Sequence, residues 1–263
     1  MPPAILSLQK SGHVSRITLT RPERGNALDA AVLRDLADAC ESIRDDDEVR
    51  VAVITAEGEV FCSGWDWDAL AAAAEGGSLL DAARGLGMVP DPFRCLHELS
   101  QPVICGMNGG AHGAGLELAL ACDIRVAAEG ARFSLPETQM GLLPMGGGIQ
   151  RLARLVGRGR ALQLVLTGEE FSAEEAHAMG LVNRIAPHER VFDEARILAE
   201  RIAERGPLAT AYAKEAVNRG IDMPLEQALR FETDLTVILQ TTEDRAEGVS
   251  AFIQKRKPEF KGK

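Results

Sequence analysis

The stretch VICGMNGGAHGAGLELALAC, residues 103–122, predicts the fold class of this chain. Its first five residues are a continuous apolar run, which is typical of a strand buried on both faces of a sheet. The next eight residues hold four glycines and predict a tight turn, and the apolar remainder predicts a short helix from about Leu116 to Cys122. A buried strand that leads through a turn into a helix is the repeating unit of α/β proteins.

The same alternation extends toward the N-terminus. The first twenty residues predict a strand pair about a turn at Ser11-Gly12, and Asp29 is a candidate N-cap for an amphipathic helix. The run from Val51 to Thr55 repeats the pattern of a buried strand. We therefore predict an α/β architecture with parallel strands.

Helices dominate the C-terminal part of the sequence. DIRVAA (123–128) and ARFSL (131–135) predict a third strand pair, and residues 69–90 predict a loop or a short helix. From about residue 146 the strands largely stop, a capping box begins at Ser172, and helical patterns cover 188–205, 207–219, 224–240 and about 243–257. We divide the chain into an α/β core, residues 1–195, and a C-terminal helical region, residues 196–263.

Composition excludes several classes of protein. The 263 residues carry 29 Lys and Arg against 39 Asp and Glu, a net charge of −10, so a broad nucleic-acid surface is not expected. A small anionic ligand remains compatible with a few local cations. We expect no membrane span, because no apolar run approaches ~18 residues. We also expect no disulfide framework, because the five cysteines are scattered, and the N-terminus shows no signal peptide. These two expectations together favour a reducing cytoplasm.

Four segments contain candidate functional residues. The first follows the strand at 51–55, and the second opens the helix near residue 116. The third places a carboxylate just after a strand, and the fourth is a glycine-rich helix start. They read FCSGWDW (61–67), GGAHGAGLE (109–117), FSLPE (133–137) and PMGGGIQR (144–151).

The second segment is suited to a negative charge. A glycine-rich turn that opens a helix leaves backbone N–H groups unpaired at the positive end of the helix dipole, which suits a developing oxyanion. From this segment alone, Glu117 is better explained by its favourable position near the dipole. Glu137 alone is also explained as a solvated loop carboxylate and gives little support to a functional role. Together, however, they offer the two proton-handling groups that acid–base catalysis requires.

Other catalytic motifs are missing from the sequence. The glycines at 113 and 115 lack the third glycine of a dinucleotide fingerprint, and no P-loop motif is present. A serine hydrolase is disfavoured, because no GxSxG nucleophile elbow accompanies the HGAG run at 112–115. The five histidines show neither HExxH nor clustered spacing, so we predict no metal site.

Taken together, these segments resemble the crotonase superfamily, the enoyl-CoA hydratase/isomerase family. The resemblance covers nearly the whole chain, from RPERGNAL (21–28) through the four segments to EGVSAFIQKRKP (247–258). It implies a spiral of ββα units followed by a C-terminal helical region that builds a homotrimer or a dimer of trimers.

The resemblance also implies a binding site for an acyl-CoA thioester. Members of the family stabilise an enolate-like anion with two backbone N–H groups, which by position belong to Trp65 and Ala114. Coenzyme A is part of the substrate, so no separate cofactor is expected. Phe252 and Lys255 match positions that approach the CoA nucleotide from a neighbouring subunit. The substrate-binding residues implied are Ser63, Trp65, Asp66, Trp67, Asp68, Gly113, Ala114 and Met145.

Within the family, the sequence is most similar to enoyl-CoA hydratases. Glu117 and Glu137 match the two hydratase glutamates in position and spacing, which implies addition of water to a 2-trans-enoyl-CoA to give a 3-hydroxyacyl-CoA. Trp65 departs from the usual alanine and Met145 from the usual glycine. Met145 also replaces the third carboxylate of dienoyl-CoA isomerases, which disfavours that activity. The alternatives are a double-bond isomerase, another acyl-CoA enzyme of the family, or a non-catalytic acyl-CoA-binding subunit.

Overall fold

A computed structural model describes residues 5–74 and 91–263, and in these ranges ten strands form two sheets. Of residues 69–90, for which a loop or a short helix was predicted, those up to Ala74 belong to a helix, and the rest lie outside the described residues. The strands are β1 Leu6–Ser11, β2 Val14–Leu19, β3 Val51–Ala56, β4 Val60–Cys62, β5 Val103–Met107, β6 Gly110–His112, β7 Ile124–Ala128, β8 Arg132–Ser134, β9 Phe171–Ser172 and β10 Arg184–Ala186.

The larger sheet has six strands in the order β1-β2-β3-β5-β7-β10. β1 pairs antiparallel with β2, as the first twenty residues predict, and every other pairing in this sheet is parallel. All residues of β5 and the first five of β3 are buried. The predicted parallel α/β architecture is therefore confirmed.

The smaller sheet has the order β4-β6-β8-β9, with β4, β6 and β8 parallel to one another. From β3 to β8 consecutive strands alternate between the two sheets, so that β3, β5 and β7 lie in one and β4, β6 and β8 in the other. This alternation, with helices between the strand pairs, produces the spiral of ββα units that the resemblance implies. The third strand pair was predicted wrongly, because β7 and β8 belong to different sheets and do not pair with each other.

The helices that the sequence predicts begin and end near the predicted positions. Asp29 caps α1 as expected, since its side chain accepts hydrogen bonds from the N–H groups of Ala31 and Val32, and Ser172 and Glu175 form the predicted capping box. The helices described are α1 Ala30–Arg44, α2 Trp67–Ala74, α3 Pro92–Glu98, α4 Ala114–Ala121, α5 Gly148–Val156, α6 Arg158–Thr167, α7 Ala173–Ala178, α8 Val191–Ala203, α9 Pro207–Gly220, α10 Leu225–Leu239 and α11 Glu243–Gln254.

The C-terminal helices expose much of their apolar surface. α8, in which the predicted boundary at residue 196 falls, buries Ala195 and Ala199 completely. In α9, Lys214 forms a largely buried ion pair of 2.7 Å with Asp123 of the core. Farther along, apolar side chains of α9, α10 and α11 remain exposed. No helix among the described residues is long and apolar enough to span a bilayer.

Candidate active site

Three parallel strands of the smaller sheet end beside one another at the candidate site. β4 ends at Cys62, β6 at His112 and β8 at Ser134. Because the carboxyl ends of parallel strands meet at the same edge of a sheet, the residues that follow them converge there. These residues are the segments at 63–66, 113–117 and 136–137, which the sequence singled out.

Glycines allow two of these segments to touch through their backbones. A Cβ on Gly64 would lie 2.8 Å from the carbonyl oxygen of His112, and a Cβ on Gly115 would lie 2.2 Å from that of Cys62. Gly64 also has φ of +104°, which side-chain-bearing residues rarely adopt. Any other residue at either position would push apart the loop that carries Trp65 and the start of α4.

The backbone N–H groups of Trp65 and Ala114 are unpaired within residues 5–74 and 91–263. The two neighbours of Trp65 both bond to Leu28: its N–H donates to the Gly64 carbonyl, and its carbonyl accepts from the Asp66 N–H. The N–H of Trp65, which lies between them, therefore points away from Leu28. Ala114 is the first residue of α4, where N–H groups have no acceptor in the preceding turn. A Cβ on Gly64, the residue before Trp65, would lie 3.5 Å from the Ala114 nitrogen. The N–H groups of Trp65 and Ala114 are therefore neighbours.

Glu117 is fully buried in the first turn of α4. Its Oε1 accepts a hydrogen bond of 2.7 Å from the N–H of Gly148, the first residue of α5, whereas its Oε2 has no protein partner among the described residues. Burial raises the pKa of the carboxyl, against the opposing effects of the nearby N–H groups of Gly148 and Gly146. One oxygen is thus fixed in place, and the other is free for a ligand.

Glu137 lies directly above the turn that precedes α4. A Cβ on Gly113, which has φ of +49°, would lie 2.6 Å from its Oε1. The residue is 2% exposed, and neither of its carboxyl oxygens has a hydrogen-bond partner among the described residues. Burial raises the pKa of the Glu137 carboxyl to about 7, and the negative charge of Glu117 contributes to the increase. The two carboxyls therefore lie close enough to influence each other.

The other predicted substrate-binding residues differ in exposure. Asp66 is buried, caps α2 through a 3.2 Å bond from the Ala69 N–H to its Oδ1, and forms a 3.1 Å ion pair with Arg24. This carboxylate therefore anchors the loop that carries Trp65. The side chains that remain open to solvent beside it are those of Ser63, Trp67 and Asp68, and the Met145 side chain, which precedes α5, is also exposed.

Phe252 and Lys255 are not joined to this site within one chain. Phe252 lies on α11 and is 85% exposed, and Lys255 follows that helix with φ of +55°. None of the hydrogen bonds or ion pairs recorded for the described residues connects either side chain to the segments around Glu117 and Glu137. Their approach to CoA stays a prediction.

The sequence analysis did not predict the contacts that Phe93 and Gly148 make in the site. Trp65 is 3% exposed and packs edge-on against Phe93, with ring centroids 6.1 Å apart. Phe93 lies in a short helix, α3, that the sequence did not predict, although Asp91-Pro92 is a typical helix start. Gly148 was noted only as part of a glycine-rich run. No group of three or more His, Cys, Asp or Glu side chains in the described ranges is arranged to hold a metal ion.

Comparisons with known proteins show the family to which the chain belongs. A family model described as enoyl-CoA hydratase/isomerase matches residues 9–263. The chain is 39% identical to 2,3-dehydroadipyl-CoA hydratase of Escherichia coli K12, over 98% of its own length and 99% of the relative's. It is 41% identical to carnitinyl-CoA dehydratase of Salmonella paratyphi A, over 98% of each chain.

A solved structure is also similar over the whole length of the chain. The crystal structure of an enoyl-CoA hydratase from Bacillus anthracis superposes with a TM-score of 0.94 at 38% identity, covering 99% of this chain and 100% of that one. These similarities support an enzyme that acts on CoA esters. The chain belongs to the enoyl-CoA hydratase/isomerase family, the crotonase superfamily.

Proposed function

We propose that the chain is an enoyl-CoA hydratase, which adds water across the 2,3 double bond of a 2-trans-enoyl-CoA to give a 3-hydroxyacyl-CoA. In this mechanism the thioester oxygen accepts hydrogen bonds from the N–H groups of Trp65 and Ala114. Negative charge accumulates on that oxygen as the β-carbon is attacked, so the two donors bind the enolate more strongly than the substrate. One such donor is worth about 10²–10³-fold in rate.

The two glutamates divide the proton transfers. Glu117, held at Oε1 by Gly148, positions a water with its free Oε2 and takes a proton from it as the oxygen bonds to the β-carbon. Glu137, whose pKa is raised to about 7, gives its proton to the α-carbon of the enolate. One hydrogen and one hydroxyl are thereby added, and the reaction needs no cofactor besides the CoA of the substrate.

One observation carries this proposal: two buried carboxyls with unpaired oxygens lie beside two unpaired backbone donors. Burying an unpaired polar atom costs stability, so a group of them at one place favours a functional explanation. An isomerase would need only one of the two carboxyls as a proton shuttle. A binding subunit would need neither.

The test is loss of the conjugated-thioester absorbance of crotonyl-CoA. We expect rapid loss with the wild type, a product heavier by one water, and a decrease in kcat of at least about 10²-fold for Glu117→Gln and for Glu137→Gln. Glu129→Gln, at an exposed position outside the site, serves as the control and should retain full activity.

Three outcomes would contradict the hydratase assignment. If neither crotonyl-CoA nor a longer 2-enoyl-CoA loses absorbance, the enzyme is not a hydratase. Conversion of a 3-enoyl-CoA to the 2-enoyl isomer without water addition would instead identify an isomerase. Thermal stabilisation by CoA without turnover of any enoyl thioester would identify a binding subunit.

The proposal includes assembly into a homotrimer or a dimer of trimers in the cytoplasm, with residues 196–263 as the trimerisation region. Exposed apolar side chains on the C-terminal helices support association, because isolated surfaces rarely carry so many. Phe252 and Lys255 would then approach the CoA of a neighbouring subunit. The most exposed of these side chains are Val217, Ile221, Leu225, Phe252 and Ile253. The five free cysteines support a reducing compartment.

Sedimentation equilibrium tests the assembly. We expect a mass three or six times the 28.2 kDa of the chain. A monomer at micromolar concentration would contradict this part of the proposal. The Lys255→Ala variant should weaken binding of CoA but not of pantetheine thioesters, because Lys255 is proposed to contact only the nucleotide.

A further inference from the structure

The indole of Trp65 has an unexplained polar atom. Its Nε1–H is buried and has no hydrogen-bond acceptor in the part of the chain that the structure describes. Buried indole N–H groups usually find a partner, and one that does not costs stability. Phenylalanine would offer nearly the same apolar surface without that cost, so packing alone does not explain a tryptophan here.

The indole lies close to the proposed reacting centre. It is attached to the residue whose backbone N–H is proposed to bind the thioester oxygen. Its ring packs on Phe93, and the Phe93 ring lies 3.0 Å from the position of a Cβ on Gly146. Two residues later, Gly148 holds Glu117. The glycine run 146–148 therefore contacts the aromatic pair at one end and the carboxylate at the other.

Atoms of the candidate site are also buried without a hydrogen-bond partner, as the indole nitrogen is. Glu117 Oε2 and both carboxyl oxygens of Glu137 are likewise buried without hydrogen-bond partners in the described ranges. The same holds for one side-chain atom each of Thr18, Arg21, Asp66 and Asn108, which have no part in the proposed reaction. In the proposed reaction the glutamate oxygens gain their partners from water and substrate. The indole N–H differs from these oxygens in being a donor, so its partner must be an acceptor.

We infer that the Trp65 indole N–H donates a hydrogen bond to an oxygen on the acyl chain. The substrate class is therefore enoyl thioesters that carry an oxygen on the acyl chain in addition to the thioester oxygen. This inference rests on the proposed function, because that function places the acyl chain here. The oxygen belongs to a neutral hydroxyl or carbonyl group, since a third carboxylate beside Glu117 and Glu137 would be repelled. The nearest non-reacting carbon is C4, the first beyond the double bond.

Binding of two saturated thioesters tests the inference independently of turnover. Butyryl-CoA and 4-hydroxybutyryl-CoA differ by one oxygen, and neither has a double bond to hydrate. By titration calorimetry we expect the wild type to bind the hydroxy compound at least about tenfold more tightly. Trp65→Phe should bind both equally, and its ligand-free melting temperature should equal or exceed that of the wild type.

A spectroscopic measurement covers the case in which Trp65→Phe does not fold. The chain has two tryptophans, so its indole N–H spectrum contains two resonances, and Trp67→Phe assigns them. We expect 4-hydroxybutyryl-CoA, but not butyryl-CoA, to move the Trp65 resonance downfield.

Two results would overturn the inference: equal affinity of the wild type for both thioesters, or a difference that survives Trp65→Phe. Each is distinct from failure of the proposed function. If crotonyl-CoA is hydrated but the two saturated thioesters bind equally, only the inference falls. If no enoyl-CoA is hydrated but the difference depends on Trp65, the hydratase assignment falls and the hydrogen bond from the indole to the acyl-chain oxygen stands.

Discussion

The N–H of Gly148 donates a 2.7 Å hydrogen bond to Oε1 of Glu117, although 31 positions separate the two residues in the chain. This bond joins the first turn of α5 to the first turn of α4. It fixes one carboxyl oxygen and leaves the other without a partner in the described residues. The orientation of Glu117 therefore depends on a residue that carries no side chain.

Replacing Gly148 with alanine should misplace the Glu117 carboxyl. The new methyl carbon would lie 2.8 Å from the Glu117 Cγ and 2.9 Å from its Oε1, so the side chain must move. We expect a loss of about 10²-fold in kcat for crotonyl-CoA hydration, the effect typical of a displacement of about 1 Å.

Gly159→Ala is the matched control for that variant. Gly159 also lies in a helix, α6, and no atom comes within 4 Å of its Cβ position. Its activity should match that of the wild type, and its stability should be unchanged or higher because alanine favours helix. If both variants were equally active, the Gly148 contact would have no bearing on catalysis.

Local signals explain why much of the fold could be predicted. Asp29 caps its helix and Ser172 begins its capping box because both motifs satisfy N–H groups within a few residues. The apolar runs at 51–55 and 103–107 form strands because each has the length and composition of a strand buried on both faces. Helix α6 was missed, although Ala161, Leu164 and Val165 show its buried face.

Long-range pairing could not be predicted in the same way. β6 lies within the glycine-rich stretch, where the local sequence indicates only a turn, and it forms because β4 and β8 pair with it from both sides. The separation of β7 from β8 into two sheets likewise depends on tertiary structure. In the site, local sequence singled out Glu117 and Glu137 as a pair and the resemblance implied their roles, whereas their contacts with Gly148 and Gly113 required coordinates.

Replacing Gly113 with alanine should affect Glu137 as Gly148→Ala affects Glu117. A Cβ here would lie 2.6 Å from the Glu137 Oε1, and φ is +49°. We expect a loss of about 1–3 kcal/mol in stability from backbone strain, together with a loss of about 10²-fold in kcat.

Gly130→Ala separates these two effects. Gly130 has φ of +72° but no atom within 4 Å of its Cβ position, so the substitution brings backbone strain without the contact. It should lower the melting temperature while kcat stays at the wild-type value. A Gly113→Ala enzyme that loses stability but keeps its kcat would show that the Glu137 contact is unimportant.

Glu137 should make the protein less stable as pH rises. Its pKa is 4.5 when unperturbed and about 7 in the folded protein, so between these values the folded state binds more protons than the unfolded state. The free energy of unfolding therefore decreases with pH across this window, by at most about 3 kcal/mol. The stabilising contribution is fully present below about 4.5 and is lost as pH passes 7.

The variant Glu137→Gln should remove that dependence. Urea unfolding at fixed protein concentration, repeated from pH 4.5 to 8, should give a flatter stability profile for Glu137→Gln than for the wild type. The exposed control Glu129→Gln should keep the wild-type profile. Parallel profiles for wild type and Glu137→Gln would mean that the carboxyl titrates normally in the folded state.

The same titration should limit catalysis above neutral pH. Hydration in the proposed mechanism needs Glu137 protonated and Glu117 ionised, and dehydration needs the reverse. In either direction the two carboxyls together carry one proton, so hydration and dehydration both lose activity when that proton leaves.

We expect kcat/KM for crotonyl-CoA hydration and for 3-hydroxybutyryl-CoA dehydration to fall about tenfold per pH unit above about 7. The residual hydration by Glu137→Gln should lack this decrease. Constant wild-type activity up to pH 9 would mean that the α-carbon proton does not come from Glu137.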